Sequence, residues 1–226
     1  MRGLFVTATD TEVGKSVTAA AIVAALVARG KRVAAFKPAV TGVADEPGPF
    51  GRDHELLASV ANAGQAPDDV APYRFDPPLS PHLAAELAGV EIDPTRLVEH
   101  ARSQAARAEV IVCEGVGGLL VPLTANYLVR DLARDLALPL VVAARPGLGT
   151  INHTLLTLEA ARAAGLTVAA VVFTPWPNDP EPINHSNRDT IEQLGRVATY
   201  TLPHTTRAEL AASAADLPLD AWLTPR

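Results

Sequence analysis

The chain has 226 residues, 48% hydrophobic and 19% charged, which suits one globular domain with a sizeable core and excludes a disordered chain. Its formal net charge of −6 gives no support to nucleic acid as a partner, and its one cysteine, Cys113, leaves no intramolecular disulfide. No apolar run approaches the ~18 residues of a membrane span, and Met1-Arg2-Gly3 leads straight into a strand-like run, so neither a membrane segment nor a signal peptide is expected and the cytoplasm is the expected compartment.

The first organised stretch is Leu4 to Val27. Leu4-Phe5-Val6 reads as a buried strand, Ala8 to Gly14 as a loop of small and polar residues, and Gly14-Lys15-Ser16 opens an Ala-rich helix that runs to about Arg29 and stops at Gly30. Strand, loop, Gly-Lys-Ser and helix is the context of a phosphate-binding loop, in which backbone N–H groups and the helix dipole converge on an anion. Lys15 then reaches the terminal phosphates, and the Ser16 hydroxyl can ligate Mg²⁺. The common form, G-x-x-x-x-G-K-[ST], would need glycine where Thr9 stands.

A second strand, Arg32 to Phe36, ends at Lys37 because Pro38 cannot donate to a ladder. In an open parallel sheet this puts Lys37 on the same edge as Lys15, where two lysines suit a substrate that is or becomes anionic. Ala44 to Arg52 reads as a flexible loop before a helix over His54 to Asn62; Asp53 is either its N-cap or a ligand. Pro67 to Pro81 reads as a lid or a surface excursion. Ser80-Pro81 starts a helix that ends at Gly89, and Asp93-Pro94 starts another that runs to about Ala108.

Glu109 to Cys113 is a central strand that leads into Glu114-Gly115-Val116-Gly117-Gly118. An acid there either holds Mg²⁺ opposite the phosphate loop or belongs to a tight turn. Tyr127 to Leu136 reads as helix, Leu140 to Ala144 as strand, and Ile151 to about Ala164 as helix after Gly147-Leu148-Gly149. The strand Thr167 to Phe173 breaks at Thr174-Pro175, a helix follows from about Asn187, and the strand Val197 to Leu202 ends in Pro203-His204-Thr205 before a last helix over Arg207 to Ala215. Strands apolar on both faces that alternate with helices predict an α/β fold: a mainly parallel sheet flanked by helices on both faces, in one domain over 1–226. No histidine spacing indicates a transition-metal site, and no Gly-x-Ser-x-Gly elbow is present.

These residues resemble the dethiobiotin synthetase family of P-loop enzymes over nearly the whole length. The resemblance rests on Thr9-Asp10-Thr11-Glu12-Val13-Gly14-Lys15-Ser16, Lys37-Pro38 with Thr41-Gly42, Glu114-Gly115-Val116-Gly117-Gly118, and Gly147-Leu148-Gly149-Thr150-Ile151-Asn152-His153. The family's phosphate loop is one residue longer than the common form, which accounts for Thr9. The resemblance implies a P-loop fold and an ATP-dependent ligase of biotin synthesis that joins CO₂ to 7,8-diaminononanoate, with Mg²⁺ and with ATP or another nucleoside triphosphate. It implies catalytic roles for Lys37, Lys15 and Thr11, and Mg²⁺ held by Ser16, Asp53 and Glu114. The nucleotide would lie along Glu12, Val13, Gly14, Lys15, Ser16 and Val17, near Asp53, against Glu114, Gly115, Val116 and Gly117, with its base by Thr174, Pro175, Pro203, His204 and Thr205. Thr41, Gly149, Thr150 and Asn152 would meet the diamine, the last three across a homodimer interface.

Two residues depart from the family pattern. Ala8 stands where glycine is common and fits without strain only in an extended conformation, and Val116 replaces an alanine. Two other readings remain. One is an amidoligase of the cobyric acid type, which would carry a further glutaminase domain. The other is a non-catalytic switch of the partition-ATPase type, which would carry a lysine near Thr9 and Asp10 and would leave Lys37 without a task.

Overall fold

The computed structural model describes residues 1–223. Its main sheet contains β1 (Gly3–Ala8), β2 (Val33–Phe36), β5 (Val110–Glu114), β8 (Leu140–Ala144), β9 (Val168–Trp176) and β10 (Thr199–Pro203). These six strands are all parallel, in the order β10-β9-β8-β1-β5-β2, as the doubly apolar runs predict.

The first helix, α1 (Lys15–Ala28), lies against one face of this sheet. Its alanines give high helix propensity and allow close packing. Ile22, Val23 and Leu26 are fully buried with Leu4 and Val6 of β1, and each such burial is worth roughly 1.5–3 kcal/mol. On the same face pack α2 (Asp53–Val60), a 3₁₀ turn (Arg207–Glu209) leading into α9 (Leu210–Ser213), and α10 (Leu219–Trp222). The alternate side chains of the strands, Phe5, Ala34, Ile111 and Leu140, face the other way, toward α5 (Pro94–Ala105), α6 (Val129–Leu136) and the end of α7 (Thr150–Ala163). Val142, Val171 and Phe173 pack there with α7 and α8 (Pro182–Gly195). Among the described residues, no helix is long and apolar enough to cross a membrane.

Several boundaries differ from the sequence reading. Pro67 to Pro81 is more than a surface excursion: it forms the short helix α3 (Pro67–Val70) and β4 (Tyr73–Phe75), which pairs in parallel with β3 (Ala39–Thr41) and buries Val70, Tyr73 and Phe75, and its end, Pro78 to Pro81, lines a cavity at the carboxyl edge of the sheet. Its end then leads into α4 (Pro81–Ala88), capped at Ser80 and Gly89 as predicted. Tyr127 and Leu128 are not helical but form β7 (Tyr127–Leu128), antiparallel to β6 (Pro122–Thr124). The helix, α6, starts two residues later than predicted because the Asp131 carboxylate accepts the Leu128 N–H at 2.9 Å, which fixes Leu128 as an extended N-cap. β9 runs on through Thr174 and Pro175 to Trp176, and α8 begins at Pro182 rather than near Asn187.

Candidate functional site

Sheet register assembles the site. β1 pairs Val6 with Glu114, and β2 pairs Phe36 with Cys113, so Lys37, one residue beyond β2, arrives beside Glu114 at the carboxyl edge of the sheet. The Lys37 N–H donates to the Val70 carbonyl at 2.9 Å, so α3 braces the backbone of this lysine. The loop after β1 brings Lys15 and Ser16 to the same edge at the start of α1.

Glu114 is fully buried, and its Oε1 accepts from Lys37 Nζ at 2.5 Å, Ser16 Oγ at 2.8 Å and Lys15 Nζ at 2.9 Å. Its Oε2 is buried with no hydrogen-bond partner among the described residues. Lys37 Nζ also lies 2.7 Å from Asp53 Oδ2. Asp53 is the first residue of α2, and Arg52 occupies the N-cap, so the capping alternative does not hold: the carboxylate turns to Lys37 instead. Two ammonium groups thus face two carboxylates.

Burial alone would lower the Lys37 ammonium, but the charges of Asp53 and Glu114 outweigh it and hold Lys37 above the ordinary lysine range. Burial would raise Asp53; Lys37, then Lys15, reverse this and hold it below the ordinary carboxylate range. Lys15 is pushed down, chiefly by burial, with Lys37 adding to the effect and Glu114 opposing it. Burial pushes the Cys113 thiol up, so Cys113 is an inert core residue.

The phosphate loop has the backbone that its task needs. Gly14 has φ +92° as the N-cap of α1, and a Cβ there would stand 3.1 Å from Thr174 Cγ2, so glycine is required both for conformation and for close approach. Glu12 adopts φ +58°, unusual for a residue with a side chain. Val13 is buried against Ala8 and Ala143 and anchors the loop from below. Ala8 lies within β1, opposite Ala143, in the extended conformation that a side chain tolerates.

A cavity of about 780 Å³ opens over this cluster. Thr11, Glu12, Gly14, Lys15, Ser16, Val17, Lys37, Thr41, Asp53, Val116 and Gly117 line it, so half of the predicted residues converge on this cavity. Gly115 sits just below, its carbonyl 3.4 Å from Lys37 Nζ. Thr174 is buried against Gly14 outside the lining, with Pro175 exposed beyond it, and Pro203 pairs with Trp176 at the end of β10, followed by His204 and Thr205. Gly149, Thr150 and Asn152 begin α7 and also stand apart from this cavity, with Asn152 exposed. A second cavity, of about 770 Å³, lies at the opposite end of the sheet beside Gly3 and Pro139, where open α/β sheets do not place ligands.

Sequence reasoning missed Phe50 and the Gly48–Gly51 turn, which line the cavity from a loop read only as flexible. It also missed Arg145, which donates to the Thr11 carbonyl at 2.9 Å and ties the end of β8 to the phosphate loop. A cation at the carboxyl end of a central strand was the available signal.

Comparison with known proteins agrees with this geometry. A family model described as "AAA domain" matches residues 2–203. The ATP-dependent dethiobiotin synthetase BioD of Anaeromyxobacter dehalogenans strain 2CP-1 is 46% identical over 204 residues, 90% of this chain and 88% of the relative. The enzyme of the same name from Bacillus subtilis strain 168 is 35% identical over 194 residues, 86% of this chain and 83% of the relative. Among solved structures, the cell-division ATPase MinD of Pyrococcus furiosus superposes with a TM-score of 0.54 at 16% identity, covering 99% of this chain and 96% of that one. That likeness concerns the P-loop fold alone.

Proposed function

Because the chain belongs to the ATP-dependent dethiobiotin synthetase family, we propose that Lys15, Lys37, Asp53 and Glu114 form the centre at which it carries out that family's reaction. The family activity is ATP-dependent closure of dethiobiotin in biotin synthesis. The observation that carries the site assignment is the pair of buried lysines converging on Glu114 at the carboxyl edge of the sheet.

The reaction explains the residue types. One amine of 7,8-diaminononanoate and CO₂ form a carbamate with loss of a proton. A carbamate oxygen takes the γ-phosphoryl group, and ADP leaves. The second amine attacks the carbamate carbon, the C–O bond to phosphate breaks, and the cyclic urea forms. Carbamate and triphosphate are both anions, so their approach needs fixed positive charge, and phosphoryl transfer depends mainly on positioning and electrostatics.

Lys15 contacts the transferred phosphoryl group, and the loop from Glu12 to Val17, with Gly14 at its closest approach, cradles the phosphates. Lys37 stabilises the carbamate and its phosphorylated form, helped by hydrogen bonding from Thr11, and Thr41 positions the diamine. Lys37 is charged before substrates bind, since Asp53 and Glu114 hold it above the ordinary lysine range. Glu114, Gly115, Val116 and Gly117 form the opposite wall. The base lies along Thr174, Pro175, Pro203, His204 and Thr205, and the nucleotide is ATP or another triphosphate. Gly149, Thr150 and Asn152 meet the diamine's carboxylate tail across a homodimer interface, and the whole chain acts as one domain, in the cytoplasm.

The donor set fits Mg²⁺. Ser16, Asp53 and Glu114 offer hard oxygens, and the orphaned, buried Oε2 of Glu114 has room in its bonding for a cation. Mg²⁺ held by these residues would neutralise phosphate charge. Two carboxylates and a hydroxyl are few ligands, as suits a cation shared with phosphates.

The test is release of ADP and phosphate in the presence of Mg²⁺ and bicarbonate, with and without 7,8-diaminononanoate. A strong diamine-dependent rise is expected. Hydrolysis indifferent to the diamine would leave the phosphate loop standing and remove the substrate.

A further inference from the structure

The segment from Pro146 to Gly149, which sets the start of α7, is held from behind by two asparagines of α8 that the reaction does not otherwise use. Asn187 Nδ2 donates to the Gly147 carbonyl at 3.0 Å and to the Pro146 carbonyl at 3.1 Å. Asn184 Nδ2 donates to the Pro146 carbonyl at 3.3 Å, and its Oδ1 accepts from the Glu181 N–H at 2.8 Å, which turns the amide so that the donor faces the segment. Both side chains are buried, and α8 is seated on the sheet through the fully buried Ile191.

The segment needs such a hold. Leu148 is 93% exposed, and a Cβ added at Gly147 or at Gly149 would meet nothing within 4 Å among the described residues. Glycines in open space carry a large conformational entropy, which bonds must offset to keep a single arrangement. At the other end, Arg145 joins the segment to the Thr11 carbonyl. α7, a helix of 14 residues, starts from this segment, with positive φ at Gly149 turning the chain into the helix and the Thr150 N–H donating to the Gly147 carbonyl at 3.3 Å.

We propose that Asn187, assisted by Asn184, is a positioning residue for substrate affinity: it fixes the Pro146–Gly149 turn so that the N-terminus of α7 is aimed at the carboxylate tail of the diamine. The proposal rests on the assignment of Gly149, Thr150 and Asn152 to that tail. A carboxylate received at a helix start by its N–H groups and dipole depends on how the first turn is aimed, and loosening the turn lowers affinity without touching the reacting amines. The role therefore shows in KM for the diamine and not in kcat.

The experiment compares wild type, Asn187→Ala and Asn187→Asp with two substrates, 7,8-diaminononanoate and 2,3-diaminooctane, the same diamine without its carboxylate. Asn187→Asp keeps the shape but replaces the donor by an acceptor facing two carbonyls, and it stands in if Asn187→Ala does not fold. Both variants are expected to raise KM for diaminononanoate about tenfold, with kcat and the KM for ATP within about twofold of wild type. Their KM for 2,3-diaminooctane is expected to equal that of wild type. Wild type that treats the two substrates alike would remove the tail assignment itself. Wild type that prefers the carboxylate, with variants that keep the full preference, would overturn the role of Asn187 alone. A fall in kcat for both substrates would mark a general structural role and overturn it as well.

Discussion

Lys37 Nζ and Asp53 Oδ2 lie 2.7 Å apart, joining the end of β2 to the start of α2. The pair locks Lys37 from one side while Glu114 holds it from the other, so the lysine stands charged and oriented before any ligand arrives. Preorganised charge of this kind costs little reorganisation when the transition state forms.

The pair has a defined dependence on pH. Asp53 is held below its unfolded value, so its contribution to stability is present above about pH 4 and is lost as pH falls through its folded value. Lys37 is held above its unfolded value, so its contribution is present below about pH 10 and is lost only as pH rises through its folded value. Asp53→Asn should therefore unfold at a lower temperature than wild type by the same margin from pH 6 to pH 9, and the margin should shrink below about pH 4. A margin that vanished near neutral pH would contradict the pairing.

Glu114→Gln removes the negative charge on which two ammonium groups and a hydroxyl converge, and one of two carboxylates offered to Mg²⁺. Half-saturation with Mg²⁺ in the steady-state assay should rise on the order of ten- to hundredfold. Loss of a buried partner should also lower stability by about 3 kcal/mol or more in chemical denaturation. An unchanged Mg²⁺ titration would count against Glu114 as a ligand.

Much of this was legible in the sequence because the signals were local. The Gly14-Lys15-Ser16 run between a strand and a helix, Lys37 before Pro38, and Glu114 before glycines all stand where the strand ends place them. Ser80-Pro81 and Asp93-Pro94 also start helices, the latter with the Asp93 carboxylate accepting the Thr95 N–H at 2.8 Å. What was not legible depends on contacts distant in sequence. The three-residue strands β3 and β4 are too short to show a period and exist because they pair with each other. The choice between cap and ligand at Asp53 stayed open because its partner, Lys37, is remote in sequence. The start of α8 was missed although Pro182 stands at its first position, where proline is favoured, because the Asn184 bond to Glu181 that completes the cap has no strong sequence signature. The predicted last helix breaks into a 3₁₀ turn and the four-residue α9, held by the burial of Leu210 rather than by a continuous apolar face.

The shared-site proposal makes a prediction of its own. Lys37→Gln and Asn152→Ala should each be poorly active alone, since one lacks the reacting cation and the other the tail contact. Mixed under conditions where subunits exchange, they should recover activity, because hybrid dimers hold one site with both residues intact. Exchange demonstrated by mass with no recovery would contradict a site built from two subunits.

The most direct test of the central claim is incorporation of labelled bicarbonate into the cyclic urea by wild type and by Lys37→Gln, with ATP binding measured on the same samples. The account predicts ATP affinity within about threefold of wild type and incorporation reduced on the order of a hundredfold or more. Incorporation at the wild-type rate by Lys37→Gln, with ATP bound normally, would show that the charge at this strand end does not stabilise the carbamate and would contradict the assignment of the reaction to this cluster.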